Sequence, residues 1–301
     1  MPTSSSSPCR WAVAETPTLA QAAGIVLAGG RSSRMGTPKA GLEWHGSTLL
    51  RRVVGVAGRS LDGPVVVVRA PGQALPELPE GVEVVEDARE GQGPLQGLAA
   101  GLAAVRDRAH AAYASSTDVP LLHPRFIHRV LAALDDDVDV VLPEVGGFRH
   151  PLAAVYRTGL LDVVERLIAE DRMRPAFLFE ACRVRRLDGD ALLADPALAA
   201  LDPDLDSLLN LNEPADYEAA RARPAPEVTV RVFGALRRHS TLGKDPALVA
   251  AATLGEAAAA SGLSLDGHDV AALNGDQITR DPQAPLVAGD SVSFLSADAG
   301  G

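Results

Sequence analysis

Residues Ile25 to Lys39 read I-V-L-A-G-G-R-S-S-R-M-G-T-P-K, an apolar run that stops abruptly at two glycines and continues as a polar loop. Buried parallel strands are continuous apolar runs, and open α/β sheets bind ligands beyond the carboxyl ends of their strands. Gly29 and Gly30 let a polyanion approach backbone N–H groups, while Arg34 and Lys39 supply positive charge. The stretch predicts one wall of a nucleotide site; the alternative is a strand followed by a solvated turn.

Composition limits the classes of protein that remain. The chain has 301 residues, enough for roughly two domains, and 47% of them are hydrophobic. Its formal net charge of −11 argues against nucleic acid as a partner, because phosphate backbones require a basic surface. An acidic protein that binds an anionic nucleotide is expected to use a divalent cation. The two cysteines, Cys9 and Cys182, exclude a disulfide scaffold and fit a reducing compartment.

The first 20 residues contain four consecutive serines and several prolines, without the basic start and apolar middle of a signal peptide. We expect residues 1–20 to be a disordered leader, or the product of a wrongly assigned start site. No apolar run approaches the roughly 18 residues that a membrane-spanning helix needs. These observations predict a cytoplasmic protein with no membrane partner.

Apolar runs alternate with amphipathic segments through most of the chain, which predicts βαβ units and a mainly parallel sheet. The fold class is therefore α/β. A last short strand is expected at Leu208–Asn212, before a final helix that starts at Pro214. The predicted strands and helices are, in order, strand 25–28, helix 49–58, strand 64–68, strand 82–87, helix 97–108, strand 111–117, helix 124–134, strand 138–143, strand 152–156 and helix 158–170.

Residues 224–227 have linker composition and separate a predicted first domain, 21–223, from a second, 228–301. Beyond the linker, Val228–Phe233 and Asp290–Leu295 alternate apolar and polar residues as half-buried strands do. Leu254–Ala260 is a short alanine-rich helix, and the chain ends in Gly300-Gly301. The second domain is therefore small, with mixed strands and one helix.

Three further groups bear on the opening loop, and each has a second interpretation. Gly91–Leu98 is a glycine-rich turn that either faces a ligand or only connects a strand to a helix. Asp118 ends a strand, where it either holds a metal between phosphates or caps the backbone. Asn210 and Asn212 either hydrogen-bond a ligand or, for Asn212, cap the helix at Pro214.

Together these groups resemble the molybdenum cofactor guanylyltransferases, the MobA-type nucleotidyltransferases, from about Gly24 to Arg223. The resemblance rests on 27–30 with 34–36 and 39, on 86–87, on 93–97, on 118–120 and on 210–214. It implies a Rossmann-like, mainly parallel nucleotidyltransferase domain that uses Mg²⁺, with GTP and molybdopterin as substrates. The family has a strand-end Asn for guanine recognition where this chain reads Val67-Val68-Arg69-Ala70, so the choice of base stays open.

The resemblance also implies roles for individual residues. The nucleotide would contact Leu27, Ala28, Gly29, Gly30, Lys39, Asp87 and Asp118. Arg34, Lys39 and Asp118 would be catalytic, Asp118 as the Mg²⁺ ligand, and His150, Asn210 and Asn212 would lie on the acceptor side. The terminal phosphate of molybdopterin would attack the α-phosphorus in line, and pyrophosphate would leave. Alternatives are a cytidylyl- or sugar-phosphate nucleotidyltransferase, or a degenerate transferase that acts mainly as a carrier.

The second domain resembles the MoaD/ThiS-type sulfur carriers, which have a β-grasp, ubiquitin-like fold. The resemblance rests on the strand–helix–strand order, on Leu273–Asp276, on Ala288–Val292 and on Gly300-Gly301. It implies that the carboxylate of Gly301 is adenylated and converted to a thiocarboxylate, the sulfur donor for molybdopterin. An E1-like adenylating enzyme and the large subunit of molybdopterin synthase would then be the partners of this domain.

Overall fold

The structure, a computed structural model, describes residues 22–29, 38–87, 93–266 and 268–296. These residues form two units, each with its own sheet and core: the first unit ends with the helix at Pro214–Arg221, and the second begins with the strand at Glu227–Val232. Leader residues 1–20, Gly30, Arg34 and the Gly300-Gly301 terminus lie outside the described residues.

The first unit consists of ten strands and eight α-helices in the described part of the chain. Its strands are β1 (Ala22–Leu27), β2 (Glu43–Trp44), β3 (Ser47–Thr48), β4 (Val65–Arg69), β5 (Glu83–Glu86), β6 (Ala111–Ser116), β7 (Val140–Val145), β8 (Phe148–Arg149), β9 (Ala153–Arg157) and β10 (Val184–Leu187). Its helices are α1 (Leu49–Ser60), α2 (Pro94–Val105), α3 (Pro124–Leu131), α4 (Leu161–Ala169), α5 (Pro175–Ala181), α6 (Gly189–Leu193), α7 (Pro196–Leu201) and α8 (Pro214–Arg221).

The main sheet has the strand order β10-β7-β9-β6-β1-β4-β5, with β8 paired to β7. Strand β9 runs antiparallel to both of its neighbours, and the other neighbouring pairs along this path are parallel. The mainly parallel α/β sheet is therefore confirmed. Because β9 is reversed, its amino end and the β7–β8 turn lie at the same edge as the carboxyl ends of β1, β4, β5 and β6.

Strand β1 is buried on both faces, which explains its uninterrupted apolar sequence. Ala22 and Val26 belong to the core beneath α1 and α3, and Ile25 and Leu27 to the core beneath α2 and α4. Helix α2 approaches β1 closely because glycines face it. A Cβ at Gly101 would lie 2.4 Å from Ile25 Cγ2.

The second unit is a five-stranded sheet covered on one face by helix α9 (Leu254–Ala260). Its strands are β11 (Glu227–Val232), β12 (Ala247–Ala250), β13 (Asp269–Leu273), β14 (Gln277–Thr279) and β15 (Ser291–Ser296), in the order β12-β11-β15-β13-β14. The first and last strands, β11 and β15, are adjacent and parallel. The mixed strands and single helix match the sequence expectation, and the assignment to the β-grasp class stays a prediction.

Two expectations about local structure are wrong. Residues 208–212 are not a strand: a 3₁₀ helix covers Asp206–Leu208, and the chain then runs irregularly to α8. A five-residue segment with three leucines and two asparagines is too short for its pattern to distinguish a strand from a turn. The predicted linker 224–227 is also one residue too long, because Glu227 already pairs with Ala250 in β11.

Candidate active site

An ion pair between Lys39 and Asp118 lies at the carboxyl edge of the main sheet. Lys39 Nζ donates to Asp118 Oδ2 at 2.8 Å, and the Ser116 hydroxyl donates to Asp118 Oδ1 at 2.6 Å. The side chains of Lys39 and Asp118 are 17% and 16% exposed, so the pair faces solvent only through a small opening. The structure thus brings together two of the three residues predicted to be catalytic; the third, Arg34, lies outside the described residues.

Sheet register explains why these groups meet. Leu27 at the end of β1 is aligned with Ser116 at the end of β6 and with Val68 in β4. Residues that follow these strands therefore project from one edge. Lys39 reaches the same edge from a 3₁₀ helix, Lys39–Gly41, that is joined to the start of α1 through the Leu49 N–H and the Leu42 carbonyl at 2.9 Å.

The backbone after β1 is occupied by the protein itself. The N–H groups of Ala28 and Gly29 both donate to the Val68 carbonyl, at 2.8 and 3.2 Å. A Cβ at Gly29 would lie 3.3 Å from the backbone nitrogen of Ala70, so glycine permits this close approach to the chain after β4. Leu27 is buried in the sheet. These N–H groups are not directed at a ligand, so anion contacts in this loop have to come from groups other than these two.

Gln73 joins the ends of β1 and β4 and was not identified from the sequence. Its side-chain nitrogen donates to the Ala28 carbonyl at 3.0 Å, and its side-chain oxygen accepts from the Ala70 N–H at 3.0 Å. Nothing in the sequence marks this residue, because its partners become neighbours only when β1 and β4 pair. The side chain fixes the spacing between the two strand ends.

Asp87 directly follows β5, the edge strand. Its N–H donates to the Arg69 carbonyl at 2.8 Å, which extends the ladder between β4 and β5. Arg69 itself forms an ion pair with Glu86 at 2.9 Å. Asp87 therefore lies at the same sheet edge as Asp118, separated from it by the ends of β4 and β1.

A cavity of about 210 Å³ opens beside Asp118, and a second of about 510 Å³ adjoins it. The first is lined by Ser116 and Asp118, and the second extends to the β7–β8 hairpin at Phe148. Both cavities share four lining residues: Arg149, His150, Leu208 and Asn210. We call the two together the acceptor groove. The acceptor groove therefore begins beside the Lys39–Asp118 pair and extends to the β7–β8 hairpin.

Two of the three predicted acceptor-side residues line both parts of the acceptor groove. Burial lowers the pKa of His150, against a smaller opposing effect of a hydrogen bond to the Val145 backbone. Asn210 Nδ2 donates to the Leu208 carbonyl at 3.3 Å. Asn212 is exposed and lines only the outer part of the groove. Its own N–H donates to the Asp216 carboxylate at 3.0 Å, so Asn212 does not cap α8.

Arg149 and Phe148 are groove residues that the sequence interpretation missed. Phe148 is 73% exposed, and Arg149 forms an ion pair with Glu144 at 3.6 Å. Gly146 and Gly147 both have positive φ, 62° and 81°, which makes the tight turn that presents them. The adjacent pair Gly146-Gly147 is the feature of the sequence that could have marked this turn and its flanking residues.

Asp118 is the carboxylate best placed for a metal ion. No group of three or more His, Cys, Asp or Glu side chains forms a metal site among residues 22–29, 38–87, 93–266 and 268–296. Mg²⁺ often takes only one or two protein carboxylates together with substrate phosphates and water. A single half-buried carboxylate beside Lys39 fits that pattern. Within the same residues no helix has the length and apolarity to cross a bilayer.

Residues 24–184 match the model of the MobA-like NTP transferase domain. The "probable molybdenum cofactor guanylyltransferase" of Mycobacterium avium is 38% identical over 208 residues, which cover 67% of this chain and 97% of that protein. Its counterpart of the same name in Mycobacterium tuberculosis H37Rv is 40% identical over 175 residues, covering 57% and 85%.

The fold has a solved counterpart. The crystal structure of molybdopterin-guanine dinucleotide biosynthesis protein A from Archaeoglobus fulgidus superposes with a TM-score of 0.51 and 22% identity, and the match covers 66% of this chain and 96% of that one. At this identity the likeness concerns the fold alone. The domain match ends at residue 184, well before the second unit begins.

Proposed function

Because this chain belongs to the MobA-like NTP transferase family, and is therefore a nucleotidyltransferase, we propose that it transfers GMP from GTP to molybdopterin or its molybdenum-loaded form. The observation that carries the proposal is the Lys39–Asp118 pair at the sheet edge, directly beside the acceptor groove. Charge for a triphosphate and space for a second substrate meet there. The names of the Mycobacterium relatives support the guanylyl donor.

The reaction forms one phosphoanhydride bond and breaks another. A terminal phosphate oxygen of molybdopterin attacks the α-phosphorus of GTP, and the bond to the β-phosphate breaks to release pyrophosphate. The attacking phosphate is already anionic near neutral pH, so a strong general base is unnecessary. Catalysis then depends on aligning two anions and neutralising the charge on the leaving group.

Asp118 would hold the Mg²⁺ ion, which supplies charge neutralisation to the triphosphate and to the leaving pyrophosphate. Ser116 orients the carboxylate, since its hydroxyl donates to Oδ1. Lys39 forms the ion pair in the described structure and would exchange part of that contact for a phosphate oxygen when GTP binds. The ion pair is thus a resting state of two groups that both serve the triphosphate.

The remaining roles follow from position along the sheet edge. Leu27, Ala28 and Gly29, with Asp87, would frame the nucleoside, and the neighbouring Gly30 and Arg34 would contact the phosphates. His150 and Asn210 would contact the acceptor in the groove, with Asn212 at its outer rim. The last residue of β4 is Arg69, which pairs with Glu86, so this strand end offers no side-chain amide for guanine. A cytidylyl transferase is therefore the runner-up, and a sugar phosphate is the alternative acceptor.

The decisive experiment is pyrophosphate release by the purified full-length chain with molybdopterin, Mg²⁺ and either GTP or CTP. We expect turnover with GTP, loss of it on metal chelation and at least about a hundredfold loss in Asp118→Asn. Asp162→Asn is the matched control, because Asp162 is an exposed carboxylate that pairs with Arg106 and lines neither cavity of the acceptor groove. Turnover with CTP alone, or near-normal turnover in Asp118→Asn, would refute the assignment.

We further propose that the second unit is the sulfur carrier. Its parallel terminal strands β11 and β15 and its single covering helix are consistent with that class. The carboxylate of Gly301 would attack the α-phosphorus of ATP with loss of pyrophosphate, and sulfide would then attack the carbonyl carbon of the acyl adenylate, displacing AMP to leave a thiocarboxylate. An E1-like enzyme would catalyse the activation, and the large subunit of molybdopterin synthase would accept the sulfur.

Deleting Gly300-Gly301 tests the carrier function separately. We expect the deletion to leave GTP-dependent pyrophosphate release unchanged, and to abolish the replacement of one oxygen by sulfur that mass spectrometry detects in the intact chain. If the intact chain gains no sulfur with a cognate activating enzyme, the carrier proposal fails. If the chain carries sulfur but neither binds nor turns over GTP, it is a degenerate transferase that serves as a carrier.

A further inference from the structure

Helix α1 lies at the contact between the two units. Arg52, Gly55 and Arg59 lie three and four positions apart and share one face. Arg59 forms an ion pair with Asp290 at 2.8 Å, and the two side chains are 5% and 6% exposed. A Cβ at Gly55 would lie 2.7 Å from the ring of Pro285, so the second unit sits directly against the helix backbone.

Arg52 connects three separate segments. It is 4% exposed, and each of its three guanidinium nitrogens donates to a backbone carbonyl. Nε donates to Pro120 in the first unit, whereas the two terminal nitrogens donate to Ala252 and Leu286 in the second, at 3.1 and 3.3 Å. Burial lowers the pKa of Arg52 to about 10, which leaves it charged at neutral pH.

One of those carbonyls belongs to the segment that presents Asp118. The segment Asp118–Pro120 leaves β6 and turns towards α3. The Asp118 carbonyl accepts from the Leu211 N–H at 2.9 Å, and the Pro120 carbonyl accepts from Arg52. The segment is thus hydrogen-bonded at both ends. One of these two hydrogen bonds comes from Arg52, which also donates to the second unit.

We propose that Arg52 is a positioning residue of the transferase, which uses the docked second unit to fix the Asp118–Pro120 segment in its catalytic geometry. The inference rests on the proposed role of Asp118 and adds that the transferase site is complete only when the second unit is seated. Neither Pro120 nor Arg52 lines the acceptor groove. Their effect passes through the backbone, two residues from the carboxylate.

The arrangement favours a positioning role over a simple structural pin. A guanidinium that only joined the units would need acceptors in the second unit alone, and Ala252 and Leu286 supply them. The further hydrogen bond to Pro120 connects the Asp118–Pro120 segment to the same guanidinium. Because an arginine presents its donors in one rigid plane, a shift of the second unit moves the Pro120 contact with it.

The test uses the full-length protein and two independent perturbations. Arg52→Met removes the connection, and Gly55→Ala forces α1 and Pro285 apart while leaving Arg52 in place. Gly58→Ala is the matched control on the same helix, since its added Cβ meets Val65 only at an ordinary 3.8 Å. Pyrophosphate release is measured against Mg²⁺ and GTP concentration, and hydrogen exchange follows the N–H groups of Leu211 and Leu122.

In Arg52→Met and Gly55→Ala, we expect kcat to fall about tenfold to a hundredfold and the half-saturating Mg²⁺ concentration to rise, with the KM for GTP nearly constant. Arg52→Lys restores part of the loss, because a lysine can reach only some of the three carbonyls. Leu211 and Leu122, whose N–H groups donate to Asp118 and Val119, exchange faster in Gly55→Ala. Gly58→Ala behaves as the parent.

The inference is overturned if folded Gly55→Ala keeps the kcat, Mg²⁺ response and exchange rates of the parent, or if only its melting temperature changes. Should Arg52→Met fail to fold, Gly55→Ala still decides. Failure of the proposed function has a different signature: the parent releases no pyrophosphate with any nucleotide. In that case hydrogen exchange by itself tests the coupling between the second unit and the Asp118–Pro120 segment, because the measurement requires no turnover.

Discussion

The buried ion pair Arg59–Asp290 predicts that removing one partner lowers the free energy of unfolding more than removing the other. Asp290 accepts from Arg59 and from the Val287 N–H at Oδ2, and from Asn274 Nδ2 at Oδ1. Arg59 has no acceptor for Nε or for its second terminal nitrogen among the described residues. Removing the carboxylate charge therefore leaves a buried cation with nothing to compensate it. Removing the cation leaves a carboxylate that retains two hydrogen bonds.

We expect Asp290→Asn to lower the free energy of unfolding by about 3–5 kcal/mol, the usual cost of stranding one member of a buried pair. Arg59→Met should cost less, about 1.5–3 kcal/mol, since it removes one charge-assisted hydrogen bond and keeps the side-chain volume. The exposed pair Arg106–Asp162 provides the control. With side chains 43% and 68% exposed, its loss in Arg106→Met should cost no more than about 1 kcal/mol.

The assay is urea unfolding of the full-length variants followed by circular dichroism at pH 7.5. A double variant, Arg59→Met with Asp290→Asn, closes the thermodynamic cycle, and we expect it to be more stable than Asp290→Asn alone because the stranded cation is gone. The reasoning is refuted if the two single variants cost the same, or if both stay within the range of Arg106→Met.

Three further predictions concern packing, pH and the groove. Gly101→Ala should lower the free energy of unfolding by about 1–3 kcal/mol in urea, because the added methyl collides with Ile25, whereas Gly159→Ala meets nothing. Burial lowers the pKa of His123 in the folded protein, so as the pH falls this histidine takes up a proton in the unfolded state first. Calorimetry should therefore show the free energy of unfolding decreasing as the pH falls below 6.5, and decreasing less in His123→Gln. Phe148→Ala should raise the KM for molybdopterin while the melting temperature hardly changes.

The elements with buried apolar runs were predictable from the sequence. Strands β1, β4 and β6 are covered on both faces, so their apolar patterns are continuous, and β1 and β6 are followed closely by Gly29 and Asp118. Helix α9 was predicted with its observed limits. Its start is marked by Thr253, whose side chain accepts from the Glu256 N–H.

Other parts depended on contacts between distant residues. Edge strands β12 and β14 pair on one side only and expose Leu248 and Ile278, so neither has a clear alternating pattern. The turn at 206–208 takes its shape from the Asp202 carboxylate, which accepts from the N–H groups of Asp206 and Ser207. Such acceptors cannot be assigned before the fold is known.

The candidate site also contains both kinds of residue: those recognisable in the sequence and those whose role depends on contacts between distant segments. Asp118 was identifiable because it closely follows an apolar strand, and Lys39 because it ends the glycine-rich loop that begins after β1; the structure joins them at 2.8 Å. Backbone N–H groups at Gly29 and Gly30 were predicted to face a polyanion; that of Gly29 donates to the Val68 carbonyl instead, and Gly30 lies outside the described residues. Arg52 looked like an ordinary charged position on an amphipathic helix. Only the docked second unit turns it into a buried cation.

The docking of the second unit against α1 has a consequence for how this unit can bind other enzymes. Only residues 222–226 join α8 to β11, so the carrier proposed above would meet other enzymes while attached to the first unit. An activating enzyme would have to approach with α1 already covered, which would reduce the number of productive orientations. Each proposed carrier would also be joined to one transferase, so the two proposed functions would be supplied in a one-to-one proportion.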